Sequence, residues 1–153
     1  MRLLTVVSVC ILACSPSPKT SEPTVSSYQN KVEDIVAIGN VLDTQVNAWN
    51  LGNVREFMKG YWHSDSLRFI NKKGTNYGYD SVEGRYLRHY NTPEKMGKLS
   101  FSQLEYYALD PGNTLYNVTG KWAISGNDSS GGVFSLLFRK QKGDWKIIVD
   151  HTW

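Results

Sequence analysis

The spacing of apolar residues changes at Pro93, and this change limits the folds that the chain can adopt. Before Pro93 they recur every three or four residues, as in helices that bury one face, whereas after it they alternate with a period of two, as in strands. Helices followed by consecutive strands are typical of an α+β domain with an antiparallel sheet. The chain has 153 residues, 41% of them hydrophobic, which is enough for one domain with its own core.

The half before the change is predicted to hold three helices. The first begins near Val32, because apolar residues recur there at steps that place one face toward a core. Asn53 followed by Glu56 is a capping pattern that predicts a short second helix. Asp80 followed by Glu83 repeats the pattern for a third. The predicted apolar face of the first helix consists of Val32, Ile35, Gly39, Leu42, Val46 and Trp49.

The remaining pattern predicts a curved sheet. One short strand is expected around Leu67 and Phe69, before the third helix. The alternation changes parity near Ser102 and Gln103, which predicts a β-bulge that would curl the sheet. A mainly antiparallel sheet that wraps the first helix would leave a cavity where it extends past the helix. The four later strands are predicted at Leu99 to Leu109, Leu115 to Ser125, Val133 to Lys140 and Trp145 to Trp153.

The N-terminal segment has the pattern of a secreted lipoprotein. Residues 1–13 hold a basic residue and an apolar run that is too short to span a membrane, which predicts a signal peptide. The run ends in Ala13-Cys14, which resembles a bacterial lipobox, so we expect cleavage before Cys14 and lipidation of its sulfur. A plain signal peptide followed by a coincidental cysteine is the alternative. Residues 14–27 are rich in proline and predict a flexible tether, which leaves residues 28–153 as the domain.

This leader bears on location and on cysteine chemistry. We expect a protein of the bacterial cell envelope that touches the membrane through its lipid anchor alone. Ser15, rather than an aspartate, follows the cysteine and favours the outer membrane. With Cys10 removed and Cys14 lipidated, the domain would keep no thiol, which excludes a disulfide, a cysteine nucleophile and a thiolate metal site.

Several other chemistries lack their sequence patterns. His63, His89 and His151 are too dispersed for a short metal-binding signature, and we predict neither a metal nor a cofactor. The 17 basic and 14 acidic residues are scattered along the chain, so no nucleic-acid partner is predicted.

Three segments of the C-terminal half resemble a known family. They are residues 120–122 (GKW), 132–140 (GVFSLLFRK) and 145–152 (WKIIVDHT). With the order of helices and strands, they resemble the SnoaL-like branch of the nuclear-transport-factor-two-like superfamily over residues 32–153. The resemblance implies a cone-shaped α+β fold with a pocket. Members include polyketide cyclases, ketosteroid isomerase, scytalone dehydratase and kinase association domains, so the resemblance does not fix an activity.

Two residues are candidates for acid–base catalysis. The resemblance implies a pocket carboxylate near Asp65, where aromatic surroundings would raise its pKa toward neutrality; a surface turn cap is the alternative. His151 shares the parity of Trp145 and Val149 in the last strand, so we expect it to face inward. Its neighbour Asp150 is then expected to face outward. His151 could instead be a core histidine satisfied by a hydrogen bond.

Aromatic residues are the candidates for the pocket wall. Tyrosine and tryptophan combine a large apolar face with one polar atom, which suits a pocket lining, although plain core packing is the alternative. Tyr86 and Tyr90 lie one helical turn apart and could present two hydroxyls to a ligand. The predicted lining residues are Trp49, Tyr61, Trp62, Tyr86, Tyr90, Trp122 and Phe134.

Two functions are compatible with these patterns. The first is binding of a small, partly apolar molecule, with cofactor-free isomerase, dehydratase or cyclase chemistry by Asp65 and His151. The second is a non-catalytic interaction or ligand-sensing module that forms a homodimer, as the association domains of the superfamily imply. An open cavity would favour the first, and a cavity filled by its own tryptophans the second.

Overall fold

The structure, a computed structural model, describes residues 25–126 and 129–153. The predicted signal peptide and Cys14 lie outside the described residues, as does most of the predicted tether. Among the described helices, none combines the length and the apolar content that crossing a membrane would require.

The domain has the predicted α+β architecture. One six-stranded sheet has the order β2-β1-β6-β5-β4-β3, with neighbours antiparallel except for the parallel pair β1–β6. The helices are Val25–Asn50 (α1), Val54–Met58 (α2), Tyr79–His89 (α3) and Pro93–Met96 (α4). The strands are Arg68–Asn71 (β1), Gly74–Tyr77 (β2), Lys98–Ala108 (β3), Leu115–Ser125 (β4), Ser130–Gln141 (β5) and Asp144–Thr152 (β6).

The predicted core face of the long helix α1 is confirmed only in part, because two of its six residues are buried, three are half-buried and one is exposed. It begins at Val25, within the last three residues of the predicted tether. Val32, placed on the predicted core face, is 61% exposed. The buried face is instead rotated toward Asp34, Ile38 and Gln45. Two of these three residues are polar and are buried because each finds hydrogen-bond partners in the core, so a count of apolar residues could not find them.

The helix caps were predicted with mixed success. The Asn53 side chain accepts a hydrogen bond from the Glu56 backbone N–H at 3.0 Å, which confirms the cap of α2. The cap predicted at Asp80 is wrong, because α3 begins at Tyr79 and its N-cap residue is Gly78, which has no side chain to offer. Asp80 lies inside the first turn, where its charge still complements the helix dipole.

The predicted bulge in β3 is confirmed and helps to curl the sheet. The register between β3 and β4 shifts between Ser102 and Glu105, and Gln103 adopts a positive φ of 53°. Across the ladder, a Cβ on Gly120 would lie 2.8 Å from Leu104 Cδ2 and 2.9 Å from Phe134 Cζ. Glycine at this position therefore leaves room for these two side chains.

A second bulge, in β6, was not predicted. Leu137 pairs with Val149 but the next residue along β5, Phe138, pairs with Ile147, so Ile148 is an extra residue in β6. An extra residue reverses which face the following side chains occupy. The strand therefore buries Ile147 before the bulge and Asp150 after it.

Candidate functional site

A cavity of about 310 Å³ opens between the concave face of the sheet and the helices. It lies at the lower end of the ~300–1,000 Å³ range of small-molecule sites. The structure thus leaves space where the sequence predicted a pocket. Six of the seven predicted aromatic residues line it: Trp49, Tyr61, Tyr86, Tyr90, Trp122 and Phe134.

Trp62 is the seventh, and its placement in the pocket is wrong. It follows the inward-facing Tyr61 and lies outside the cavity, where the Arg139 guanidinium stands 4.5 Å above its ring. Tyr61 itself bridges to Ile147 of β6, so this segment behaves as a short strand in which neighbouring side chains take opposite faces. Trp62 therefore contributes to a cation–π contact on the outer surface.

The aromatic wall is built around Trp49 at the end of α1. Its ring centroid lies 4.6 Å from that of Tyr90 and 5.2 Å from that of Phe57, in edge-to-face arrangements. The indole N–H donates to the Met96 carbonyl at 3.0 Å. Because its polar atom is occupied, Trp49 contributes an apolar, fixed surface to the cavity.

Asp150 is the polar centre of the cavity. It is 4% exposed and lines the pocket. The Tyr61 hydroxyl donates to Oδ2 at 2.7 Å, and the Thr152 hydroxyl donates to Oδ1 at 2.6 Å. Burial raises the pKa of Asp150 above its usual range, and the hydrogen bonds from Thr152 and Tyr61 and the charge of Arg85 only partly offset this. A carboxyl group with a raised pKa is suited to accept and return a proton.

The two tyrosines nearest this carboxyl group stay protonated. Burial and the neighbouring Asp150 raise the pKa of Tyr61 and also that of Tyr86 well above the usual tyrosine value. Tyr86 interacts with Tyr61, which in turn holds Asp150. The deep end of the cavity therefore combines one titratable carboxyl group with phenolic hydroxyls that act as fixed donors.

The prediction that His151 faces inward is wrong. His151 pairs with Ser135 on the outer face of the sheet, where it is exposed and its ring packs against that of Trp153 at 4.5 Å. The bulge at Ile148 is the reason, because it moves Asp150 inward and His151 outward.

Asp65 does not reach the cavity either. It is exposed in the loop that precedes β1 and is not among the lining residues. The turn is capped by Ser64, whose hydroxyl accepts from the Ser66 backbone N–H at 3.1 Å. The structure therefore brings neither of the predicted catalytic residues into the pocket, and both are exposed.

One sequence signal could have located the true polar centre. Ile147, Ile148 and Val149 are three consecutive apolar residues in a strand that otherwise alternates. Such a run interrupts the period of two and is compatible with a bulge. Thr152, two residues after Asp150, would then share its inward face.

The described residues contain no group of three or more histidine, cysteine or acidic side chains placed to hold a metal ion. The polar end of the cavity offers one carboxylate and several hydroxyls, which is a donor set for hydrogen bonds and proton transfer.

Comparison with known proteins supports the fold. No protein-family model matches the sequence, and no curated protein does. A solved NTF-2-like protein of unknown function from Shewanella oneidensis is 32% identical, with a TM-score of 0.72 over 80% of this chain and 98% of that one.

More distant solved structures share the fold at low identity. A "Putative Scytalone Dehydratase" from Novosphingobium aromaticivorans is 12% identical, with a TM-score of 0.69 over 82% of this chain and 86% of that one. LinA is 17% identical, with a TM-score of 0.66 over 83% and 89% of the two chains. The identity and coverage of the Shewanella protein show that this chain belongs to the NTF2-like family.

Proposed function

We propose that this domain binds a small, partly apolar molecule in its cavity and that Asp150 exchanges a proton with it. The observation that carries the proposal is a buried carboxyl group that lines an aromatic cavity. Apolar walls with a few convergent polar groups are typical of small-molecule sites. Isomerisation, dehydration and cyclisation can each proceed through proton transfer by such a carboxyl group.

The arrangement around Asp150 supports this chemistry. Tyr61 holds one carboxylate oxygen and Thr152 the other, so the group is fixed in place before a ligand enters. The phenolic hydroxyl of Tyr86 lines the same cavity and is available to stabilise negative charge that develops on a ligand oxygen. A raised pKa lets the carboxyl group change charge closer to neutral pH than an ordinary aspartate.

A second candidate function is ligand binding without catalysis. Both oxygens of Asp150 already accept a hydrogen bond within the protein. A carboxylate held in this way can also serve to orient Tyr61 and Thr152 in a binding site. In both functions the cavity holds a ligand, and they differ in whether Asp150 gains and loses a proton during the cycle.

Binding can be tested with N-phenyl-1-naphthylamine, a neutral apolar probe whose fluorescence rises in an apolar site. Leu136 lines the cavity and Leu137 points away from it on the same strand, so the two residues form a matched pair. We expect Leu136→Trp to weaken probe binding at least tenfold because the indole fills the cavity, and Leu137→Trp to leave it unchanged.

The result that would contradict a small-molecule site is an absence of saturable probe binding to the wild type, or equal binding by both variants. Leu136→Phe provides a milder filling substitution if the tryptophan variant does not fold. Circular dichroism of each variant checks the fold.

We also propose that the mature protein is anchored to the cell envelope through lipidated Cys14, a proposal supported by the lipobox-like sequence that ends at this residue. Labelled palmitate should be incorporated into the wild type and into Cys10→Ser, but not into Cys14→Ser. Equal labelling of the two variants would refute the anchor.

A further inference from the structure

The cavity has a cationic mouth. Lys72 and Lys73, in the turn between β1 and β2, line it together with Arg85 of α3. The Asn71 side chain accepts a hydrogen bond from the Lys73 backbone N–H at 2.8 Å and fixes the turn. Among the described lining residues, Asp150 has the one side-chain carboxylate, and it is buried and held by hydroxyl groups.

Arg85 is half-buried and forms no ion pair with the described residues, although its charge acts on the buried Asp150. Its guanidinium lies 4.5 Å from the ring centroid of Phe69. The ion pairs between described residues join Lys59 to Glu56, His63 to Asp80 and Lys140 to Asp34, so none includes Arg85, Lys72 or Lys73. A partly desolvated cation is stabilised by an anion with which it can form charge-assisted hydrogen bonds.

The wall beside these cations is apolar. Trp122 lines the cavity with its ring, while its indole nitrogen is covered by the surrounding protein. The apolar rings of Phe101 and Phe134, whose centroids lie 5.2 Å apart, supply the surface for an apolar body.

We propose that the cavity selects amphipathic acids: ligands with an apolar body that packs on the aromatic wall and one anionic group that Lys72, Lys73 and Arg85 bind at the mouth. This inference rests on the proposed small-molecule function and narrows its ligand class. The anionic group can be a carboxylate or another oxyanion, since all three cations bind either by charge and hydrogen bonds.

The test uses two probes of the same shape that differ only in charge. 2-Naphthylacetate and 2-naphthylacetamide are each titrated against the complex of the full-length protein with N-phenyl-1-naphthylamine, and displacement of the fluorescent probe gives their dissociation constants. We expect the acetate to bind roughly fivefold more tightly than the amide, because exposed and half-buried charges each contribute a few-fold in affinity. The preference should shrink in 0.5 M NaCl because salt screens the exposed lysines.

Variants that remove positive charge show which side chains cause the preference for the acetate. Lys72→Gln/Lys73→Gln and, separately, Arg85→Gln should each reduce the acetate-to-amide ratio to about twofold. Arg85→Lys, which keeps the charge, should retain most of the acetate-to-amide ratio. The control is Lys121→Gln, an exposed lysine of β4 outside the cavity lining, which should keep the full ratio.

Equal affinities of the two naphthyl probes, or an unchanged ratio in both cation variants, would overturn the proposed ligand class. If N-phenyl-1-naphthylamine still binds in a cavity-dependent way, the small-molecule site itself survives that result. If the fluorescent probe does not bind at all, the proposed function fails and the ligand class fails with it.

Discussion

Two carboxylates of the described residues are buried to the same extent, Asp34 with 5% exposure and Asp150 with 4%, yet their surroundings differ. Asp34, on α1, accepts from the Lys140 ammonium at 2.8 Å and from the Trp145 indole N–H at 3.3 Å. Asp150 accepts only from hydroxyl groups and lines the cavity. The carboxylate of Asp34 links helix α1 to strands β5 and β6. The carboxyl group of Asp150 instead has a raised pKa.

The comparison shows that burial alone does not identify a functional carboxyl group. A cation within hydrogen-bond distance compensates the buried charge and makes the carboxylate part of the framework. Neutral donors stabilise the charge less, so burial raises the pKa of Asp150. Contact with the cavity then makes its proton accessible to a ligand.

The largest expected effect comes from breaking the framework carboxylate. Asp34→Ala removes the partner of Lys140 and leaves the Trp145 indole N–H buried without an acceptor. We expect a loss of about 2–3 kcal/mol in the free energy of unfolding by urea, below the full cost of a broken buried pair because the Lys140 side chain is 41% exposed.

Probe binding separates this effect from one on the cavity. Asp34 does not line the pocket, so the folded fraction of Asp34→Ala should bind N-phenyl-1-naphthylamine as the wild type does. Asp34→Asn, which keeps an acceptor, should lose less stability. Unaltered stability in Asp34→Ala would show that the pair contributes nothing to the framework.

A smaller effect is expected at the cavity carboxyl group. Tyr61→Phe keeps the ring but removes the donor to Asp150 Oδ2. We expect a loss of about 2 kcal/mol of unfolding free energy where Asp150 is ionised, and less where it is protonated, because a hydrogen bond to a charged group contributes more. Urea unfolding between pH 4 and pH 8 measures this difference.

The sign of the pH dependence follows from the raised pKa. Asp150 binds its proton more tightly in the folded than in the unfolded state, whose aspartate pKa is about 3.9. The protonation of Asp150 therefore contributes fully to the free energy of unfolding below a pH of about 3.9, the pKa of an unfolded aspartate. This contribution is lost as the pH rises through the pKa of the folded state. Tyr61→Phe raises the pKa of Asp150 in the folded state further. The pH range over which the contribution of Asp150 is lost should therefore extend to higher pH in this variant. Tyr90→Phe is the control, and an equal, pH-independent loss in both variants would contradict the assignment.

The sequence was sufficient to predict the fold class and six of the aromatic residues that line the cavity. The change of period at Pro93, the bulge near Gln103 and the aromatic candidates are local patterns with strong physical causes. Large aromatic side chains are buried or line a cavity more often than not, although Tyr77 and Tyr107 are exposed here, so six of the seven candidates could be placed without knowledge of the register. The short strand β2 and the helix α4 lack an apolar pattern and were not predicted.

The polar centre could not be predicted by parity because one extra residue reverses it. Ile148 turns Asp150 inward and His151 outward, and that bulge depends on how β6 pairs with β5. The buried polar residues of α1 could not be predicted for a similar reason. Asp34 and Gln45 are compensated by partners far along the chain, Lys140 and Phe57, and such pairings form only in the folded state.

The central claim is that Asp150 carries a raised pKa in a ligand-accessible cavity. Carbon-13 NMR of the side-chain carboxyl groups, with the Asp150 signal assigned by its loss in Asp150→Asn, measures that pKa directly. We predict a midpoint above the ordinary aspartate value of about 3.9, and a change in it when N-phenyl-1-naphthylamine is bound. A midpoint at or below 3.9 that is insensitive to the probe would contradict the account.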